Sequence, residues 1–329
     1  MFLLLAKGKV RAGDRLLVQF HTTKEYMVID ILQIINSGFG INILSTVARL
    51  IPVWLGYRLA DFAADRIVAH PESRMVRAVR ANQWVISGET LDKQALDRAV
   101  YATIRNSARS IFDLYHYILN PGAIEQLIVF NATVQQLTQR PEFDQRGLML
   151  VALHISNWDL VLRALALRGM RPMMLTIPEP KGSQRVEYEM RKRTGMNLIP
   201  TSVSSLRQAI RYLQQGGVVM TGIDRPIPEP KCRPRFFGRP ADLPVHHVYL
   251  AAKTHMPVMV MVTIRWPDGK NHLFTSDPIE MESHPDADTE MLRNAEKVLS
   301  IGEDFIRQAP SQWSISLPVW PEALDQMPI

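Results

Sequence analysis

The chain has 329 residues and 47% of them are hydrophobic, so it can bury a sizeable core as one large domain or as a domain with a helical appendage. Its formal net charge of +6 favours acidic partners such as anionic lipid, an acidic carrier protein or nucleic acid. The single cysteine, Cys232, excludes an internal disulfide framework, and zinc-type cysteine spacing and nucleotide-binding glycine loops are absent from the sequence.

The N-terminal part of the sequence raises the question of membrane attachment. Residues 1–26 have the character of an extension, and Met27 could be the true start. Residues 31–48 carry no charge, but their many polar side chains make a spanning helix unfavourable. Apolar residues at helical spacing continue past Pro52 to Trp54, beside basic side chains. We therefore predict an amphipathic helix lying in the membrane interface, and a helix packed on the protein's own core is the alternative.

The rest of the chain divides into a helical part and an alternating part. Helical spacing covers residues 91–100 and 101–119 and stops at Asn120-Pro121-Gly122. From Gly147 onward, apolar strands alternate with helices, which predicts an α/β fold with a mixed, mostly parallel sheet covered by helices on both faces. The predicted strands are 148–153, 173–177, 218–223, 257–265 and 273–276, and the predicted helices lie near 157–168, 184–194, 204–215 and 245–254.

This division predicts three segments along the chain. Residues 1–26 form the extension, residues 27–145 form a helical N-terminal region with the interfacial helix, and residues 146–329 form the α/β core.

A histidine and an aspartate stand five positions apart where the first strand of that core ends. His154 follows the apolar run 148–153, and Asn157 is placed to cap the next helix, with Asp159 in its first turn. An imidazole removes protons near pH 7, and a carboxylate can fix its tautomer, so the pair predicts a general base acting on a hydroxyl. The alternative is a histidine packed at a strand end, with Asp159 only a residue at a helix start.

A second acidic residue is predicted at the same edge of the sheet. Asp224 follows the strand predicted at 218–223, as His154 follows its own strand. Ligands of open α/β sheets gather beyond the carboxyl ends of the strands, so both side chains should lie along one rim.

Several blocks of the sequence, taken together, resemble one family. His154-x4-Asp159 has Asn157-Trp158 before the acid, and Asp224-Arg225 leads into Arg235-Phe236-Phe237-Gly238-Arg239-Pro240. The tail from Trp313 through 318–321 and the N-terminal stretches 80–82 and 106–112 continue the likeness over roughly residues 30–322. In this order the blocks resemble the bacterial lipid A late acyltransferases and the related phosphatidylinositol mannoside acyltransferases, which carry an HX4D motif.

The resemblance implies an O-acyltransferase. It would move a fatty acyl group from a thioester donor, acyl carrier protein or acyl-CoA, to a hydroxyl of a glycolipid or lysophospholipid, with no metal or cofactor. His154 would be the base and Asp159 would orient it. The implied location is the cytoplasmic face of the inner membrane, peripheral or with a single anchor, and no nucleic acid is expected as a partner. A noncatalytic lipid-binding or carrier-tethering protein is the alternative.

The remaining candidates are basic, aromatic and polar residues around this pair. The cations of 181–193 could bind phosphate or be solvated surface, and the aromatic loop could anchor acyl chains or act as a hydrophobic latch. His246-His247 invites a metal interpretation, but adjacent residues point apart on a helix, so no metal site is predicted. The expected substrate-binding residues are Asn157, Trp158, Glu179, Arg191, Asp224, Arg225, Arg235, Phe236, Phe237 and Arg239.

Overall fold

The computed structural model of the protein describes residues 46–140, 146–178, 188–189, 191–192 and 195–328. Predictions for residues 1–45, and most of the helix predicted at 184–194, lie outside these residues. The N-terminal elements come first along the chain. They are α1 Val53–Val68, α2 Arg74–Ile86, α3 Lys93–Tyr117, α4 Pro121–Leu127, β1 Ile128–Phe130 and α5 Ala132–Gln139.

The second part alternates strands and helices, as the sequence predicts. Two short 3₁₀ turns, Pro310–Gln312 and Pro321–Asp325, close the chain. The elements before them are β2 Leu148–Ala152, α6 Trp158–Leu167, β3 Met173–Thr176, β4 Asn197–Pro200, α7 Val203–Gln214, β5 Val218–Gly222, β6 Arg235–Phe236, β7 Arg239–Pro240, α8 His246–Thr254, β8 Val258–Arg265, β9 Asn271–Thr275 and α9 Ala287–Gln308.

The main sheet has the strand order β1-β9-β8-β2-β5-β3-β4. Strands β8, β2, β5, β3 and β4 are parallel to one another, whereas β9 runs antiparallel to β8, and β1 is parallel to β9. The predicted mixed, mostly parallel α/β fold is confirmed.

Both faces of the sheet are buried, because successive side chains of a strand point to opposite faces. Leu148 and Leu150 of β2 pack in one apolar cluster with residues of α6, whereas Met149 and Val151 belong to a second cluster. The second cluster also includes residues of α2, α3 and α9, so the N-terminal helices share a core with the sheet.

Three details differ from the sequence prediction. The two helical stretches 91–100 and 101–119 form one helix, α3, which Asp92 caps by accepting from the backbone N–H of Ala95 at 2.8 Å. Strands β1, β4, β6 and β7 were not predicted, because two to four residues are too short for a clear apolar period. Helix α9 was also missed, although Asp286 caps it and two acidic residues lie in its first turn.

Candidate active site

The ends of two neighbouring parallel strands bring His154 and Asp224 together. Strand β2 pairs in parallel with β5 from Leu148↔Val218 to Ala152↔Gly222. His154 and Asp224 each lie two residues beyond the end of their strand, so both meet at one rim of the sheet, as predicted.

The imidazole of His154 is hydrogen-bonded to the carboxylate of Asp224. Its Nδ1 lies 2.6 Å from Asp224 Oδ1, and the backbone N–H of His154 donates to Oδ2 at 2.7 Å. The Asp224 side chain is 0% exposed, whereas the His154 side chain is 28% exposed. Since an ionised carboxylate only accepts hydrogen bonds, Nδ1 carries the proton and the lone pair of a neutral ring lies on Nε2. A partly exposed imidazole held in this tautomer can accept a proton from a ligand at Nε2.

Trp313 supplies a third hydrogen bond to the same carboxylate. Its indole Nε1 donates to Asp224 Oδ2 at 2.8 Å. The next residue, Ser314, donates its backbone N–H to the His154 carbonyl at 2.9 Å, and Ile155 forms an isolated antiparallel bridge with Trp313. The C-terminal segment therefore fixes both members of the pair. Sequence reasoning gave Trp313 no role, because nothing local links it to residues far upstream.

Gly222 leaves room for the imidazole ring. A Cβ built on this glycine would lie 3.0 Å from His154 Cε1 and 3.9 Å from both ring nitrogens. Any larger residue at the end of β5 would press on the ring, so the glycine is needed for the close approach of His154 to the strand.

The expected partnership of His154 with Asp159 is wrong in this structure. No hydrogen bond or ion pair joins these two described side chains, and Asp159 Oδ1 instead accepts from Arg191 Nε at 2.5 Å. Asp159 is the second residue of α6, after the loop that begins at His154, whereas Asp224 reaches the imidazole from just beyond the end of the adjacent strand β5. The predicted residues thus form two separate pairs, His154 with Asp224 and Asp159 with Arg191.

Asn157 and Trp158 lie between the two pairs. Asn157 occupies the N-cap position of α6, but the predicted side-chain cap is absent. Its Nδ2 donates instead to the Ser110 carbonyl at 3.0 Å, which ties the loop to α3. The Trp158 ring centroid is 6.5 Å from that of His154. The first backbone N–H groups of α6 therefore have no side-chain cap from Asn157.

For the remaining candidate residues, the structure shows the position of Arg225 but not that of Glu179. Arg225 is half-buried directly after Asp224. Glu179 and the cations Lys181, Arg185 and Arg193 lie outside the described residues.

The aromatic loop packs inside the protein. Phe236 is 0% exposed and stacks on Trp320 with ring centroids 5.5 Å apart. It also contacts Trp313 edge-on at 6.0 Å, and Phe237 at 4.9 Å. The hydrophobic-latch alternative therefore describes Phe236, which supports Trp313 from behind.

The arginines of this loop are also engaged with the protein. Arg239 is paired with Glu89 and donates to Gln326 Oε1 at 2.7 Å. Arg235 donates its backbone N–H to Glu296 Oε1 at 2.9 Å. The Arg239 side chain thus bridges the loop to neighbouring elements, whereas the exposed Arg235 guanidinium donates to the Gly238 carbonyl of the same loop at 3.2 Å.

The two adjacent histidines of α8 are not part of a cluster of metal-ligating side chains in the described residues. Within the described residues, no group of three or more metal-ligating side chains occurs. Burial lowers the pKa of His246 to about 4 and that of His247 to about 3. Both rings are therefore neutral at pH 7.

Comparison with known proteins identifies the family. Among curated protein sequences, no match was found. A family profile described as bacterial lipid A biosynthesis acyltransferase matches residues 133–321, which is more than half of the chain. The matched segment contains the strands β2 and β5 and the residues His154, Asp159 and Asp224. The family implies acyl transfer to a lipid, and the chain belongs to the bacterial lipid A biosynthesis acyltransferase family.

Proposed function

We propose that the protein transfers a fatty acyl group from a thioester donor to a hydroxyl group of a glycolipid or lysophospholipid. The observation that carries this proposal is the pairing of half-exposed His154 with fully buried Asp224. A base whose tautomer is fixed by a buried carboxylate suits removal of a hydroxyl proton.

In the proposed reaction, Nε2 of His154 takes the proton of the acceptor hydroxyl while its oxygen attacks the thioester carbonyl. The carbonyl oxygen becomes an oxyanion, and Asp224 stabilises the imidazolium through Nδ1. Collapse of the tetrahedral intermediate breaks the carbon–sulfur bond, and the imidazolium returns its proton to the leaving thiolate. The products are an ester and a free thiol.

The oxyanion needs hydrogen-bond donors close to the base. The start of α6 follows His154 within four residues, and its first backbone N–H groups lack a cap from Asn157. Such groups favour negative charge, so we assign them this role, with Arg225 as the side-chain candidate. Arg191, held by Asp159, would then position the substrate.

Either acyl carrier protein or acyl-CoA could be the donor, since both present a thioester on the same pantetheine arm. No metal or other cofactor takes part in the proposed reaction, and nucleic acid is not an expected partner.

We also propose that the protein works at the cytoplasmic face of the inner membrane. The support is an exposed apolar stripe on and before α1, in which Leu50 is 80%, Trp54 60% and Phe62 56% exposed. Arg58 lies over the Trp54 ring at 5.5 Å and Arg66 over the Phe62 ring at 4.9 Å. Aromatic rings beside cations suit the interface of an anionic bilayer. In the part of the chain that the structure describes, no helix is long and apolar enough to cross a membrane.

The test is product analysis with purified protein. The protein is incubated with an acyl-CoA or acyl carrier protein thioester and a bacterial lipid extract, and the lipids are analysed by mass spectrometry. We expect a lipid whose mass increases by one acyl group, together with release of free thiol. Thiol release without an acylated lipid would contradict the proposal, since water would then be the acceptor.

A further inference from the structure

A polar cavity lies next to the candidate base and is not used by the mechanism above. Its volume is about 110 Å³, and it is lined by Asn106, Arg109, Ser110, Ser156, Arg265 and Gln312. Ser156 is two residues after His154, which limits the separation of their Cα atoms to about 7 Å. The cavity therefore lies close to the candidate base in the chain and in space.

The charged side chains that line the cavity are both guanidinium groups. Arg109 is held by Asp61 through Nε–Oδ1 at 2.7 Å and Nη2–Oδ2 at 2.5 Å. Arg265 donates from Nη1 to Asp113 Oδ2 at 2.6 Å. Neither carboxylate lines the cavity. The acids thus hold the two guanidinium groups from outside the cavity, so guanidinium N–H groups and not carboxylates face its interior.

Tyr57 keeps the two cations close to each other. Its hydroxyl accepts from Arg265 Nη2 at 2.6 Å, and its ring centroid lies 5.3 Å from the Arg265 guanidinium carbon. The Arg109 guanidinium carbon is 5.0 Å from the same ring. The two guanidinium groups therefore lie around one ring, where a single anion can contact both. Within the described residues, Arg109 Nη1 forms no hydrogen bond, so this group can donate to a ligand.

We propose that this cavity binds a phosphate group carried by the lipid acceptor. Fixed guanidinium groups bind phosphate oxygens in forked geometry, and the hydroxyl of Ser110 can add a neutral hydrogen bond, whereas the Ser156 hydroxyl donates to Asn271 Oδ1 at 3.0 Å. The inference rests on the proposed function, because the phosphate is assigned to the molecule whose hydroxyl meets His154. The phosphate of a pantetheine donor stands at the far end of a long arm from the thioester, whereas the cavity adjoins the base.

The first experiment measures binding of inorganic phosphate by calorimetry and needs no turnover. Arg109→Gln should weaken binding about tenfold or more, because a hydrogen bond to a charged group is lost. Arg105→Gln is the matched control, since Arg105 lies one turn earlier on α3, pairs with Asp61 at 3.4 Å and does not line the cavity. Arg105→Gln should change the affinity less than about twofold. Equal affinity of both variants and the wild type would overturn the proposal.

Arg109→Lys covers the case in which Arg109→Gln does not fold. Lysine keeps a positive charge beside Asp61 but lacks the planar fork, so phosphate binding should still weaken several-fold. Unchanged phosphate binding by folded Arg109→Lys would count against a forked phosphate site.

The second experiment identifies which substrate carries the phosphate. The Michaelis constant is measured for an acceptor lipid with and without its phosphate, and with a coenzyme A or an N-acetylcysteamine thioester, which has no phosphate. Arg109→Gln should raise the constant of the phosphorylated acceptor with either donor and leave that of the dephosphorylated acceptor unchanged. If Arg109→Gln raises the Michaelis constant only when the donor carries a phosphate, the phosphate belongs to the donor and the assignment to the acceptor is overturned.

Failure of the cavity and failure of the proposed function give different results. His154→Ala should bind inorganic phosphate as the wild type does, because His154 does not line the cavity. Absence of acyl transfer by the wild type would refute the proposed function, whereas phosphate binding would still report on the cavity.

Discussion

Asp224 is the buried residue on which the proposed chemistry of His154 depends. It accepts hydrogen bonds from the His154 ring, the His154 backbone and the Trp313 indole, and it is fully buried. We expect Asp224→Asn to lower the turnover number by about 10²–10⁴-fold, because an amide can hold the ring in the wrong tautomer.

Steady-state kinetics with a purified thioester and lipid acceptor measure this effect. Asp159→Asn is the comparison variant, since Asp159 is paired with Arg191 and not with the imidazole. It should act mainly on the Michaelis constant. A larger loss of turnover in Asp159→Asn than in Asp224→Asn would contradict the assignment.

Trp313 is expected to act by positioning Asp224. Trp313→Phe keeps an aromatic ring and removes the donor, so the turnover number should fall about tenfold. Trp320→Phe is a close control, because Trp320 belongs to the same aromatic cluster and its buried Nε1 has no hydrogen-bond partner among the described residues.

The tautomer of His154, observed by nitrogen-15 NMR, separates positioning from simple packing. Trp313→Phe should increase the population with the proton on Nε2, and Trp320→Phe should leave it unchanged. If both variants lose the same activity and keep the tautomer, Trp313 acts only through packing.

The positions of the site residues could be predicted from the sequence, but the partner of the His154 imidazole could not. The rule that ligands gather beyond strand ends placed His154 and Asp224 on one rim, and the structure confirms this. The partner of the imidazole was wrong because spacing along the chain favoured Asp159, five residues away. The contact with Asp224 depends on β2 and β5 being neighbours in the sheet, which periodicity alone does not reveal.

At the scale of elements, α1 joins the proposed membrane surface to the cavity. Tyr57 on its inner side contacts Arg265, whereas Trp54 and Phe62 are exposed. The sequence predicted an interfacial helix that ends near Trp54. In the described residues a helical stretch at 46–50 stops before Pro52 and α1 begins directly after it, so the exposed stripe continues to Phe62 on a second helix.

We expect Trp54→Ser with Phe62→Ser to reduce binding to anionic phospholipid vesicles, because two apolar side chains leave the interface. Cosedimentation with vesicles measures the effect. Val203→Ser is the matched control, since Val203 is 69% exposed on α7, away from this stripe. Equal vesicle binding by the double variant and the wild type would mean that another surface attaches the protein.

For the protein as a whole, two histidines of α8 make folding depend on pH, His247 being fully buried and His246 half-buried. Burial lowers the pKa of His246 to about 4 and that of His247 to about 3, whereas a histidine of the unfolded chain has a pKa near 6.5. Below about pH 6.5 the unfolded chain therefore binds more protons than the native protein. The contribution of these neutral histidines to the free energy of unfolding is fully present above about pH 6.5 and is lost as the pH falls toward 4. The free energy of unfolding should fall by up to ~1.4 kcal/mol per pH unit for each histidine.

Urea unfolding at pH 7 and pH 5 tests this dependence. His247→Leu should reduce the difference between the two pH values, because one buried titrating group is removed. His255→Asn is the control, since His255 is exposed and asparagine tolerates its left-handed φ of 56°. A wild-type protein equally stable at both pH values would contradict the burial of these rings in solution.

The turnover of His154→Ala shows whether this histidine is the general base of the proposed acyl transfer. Transfer of an acyl group from a purified thioester to lipid is measured for the wild type and the variant, with circular dichroism as the control for folding. We predict a folded variant whose turnover number is lower by about 10²–10⁴-fold, the contribution of a general base. A folded His154→Ala variant with wild-type turnover would contradict it.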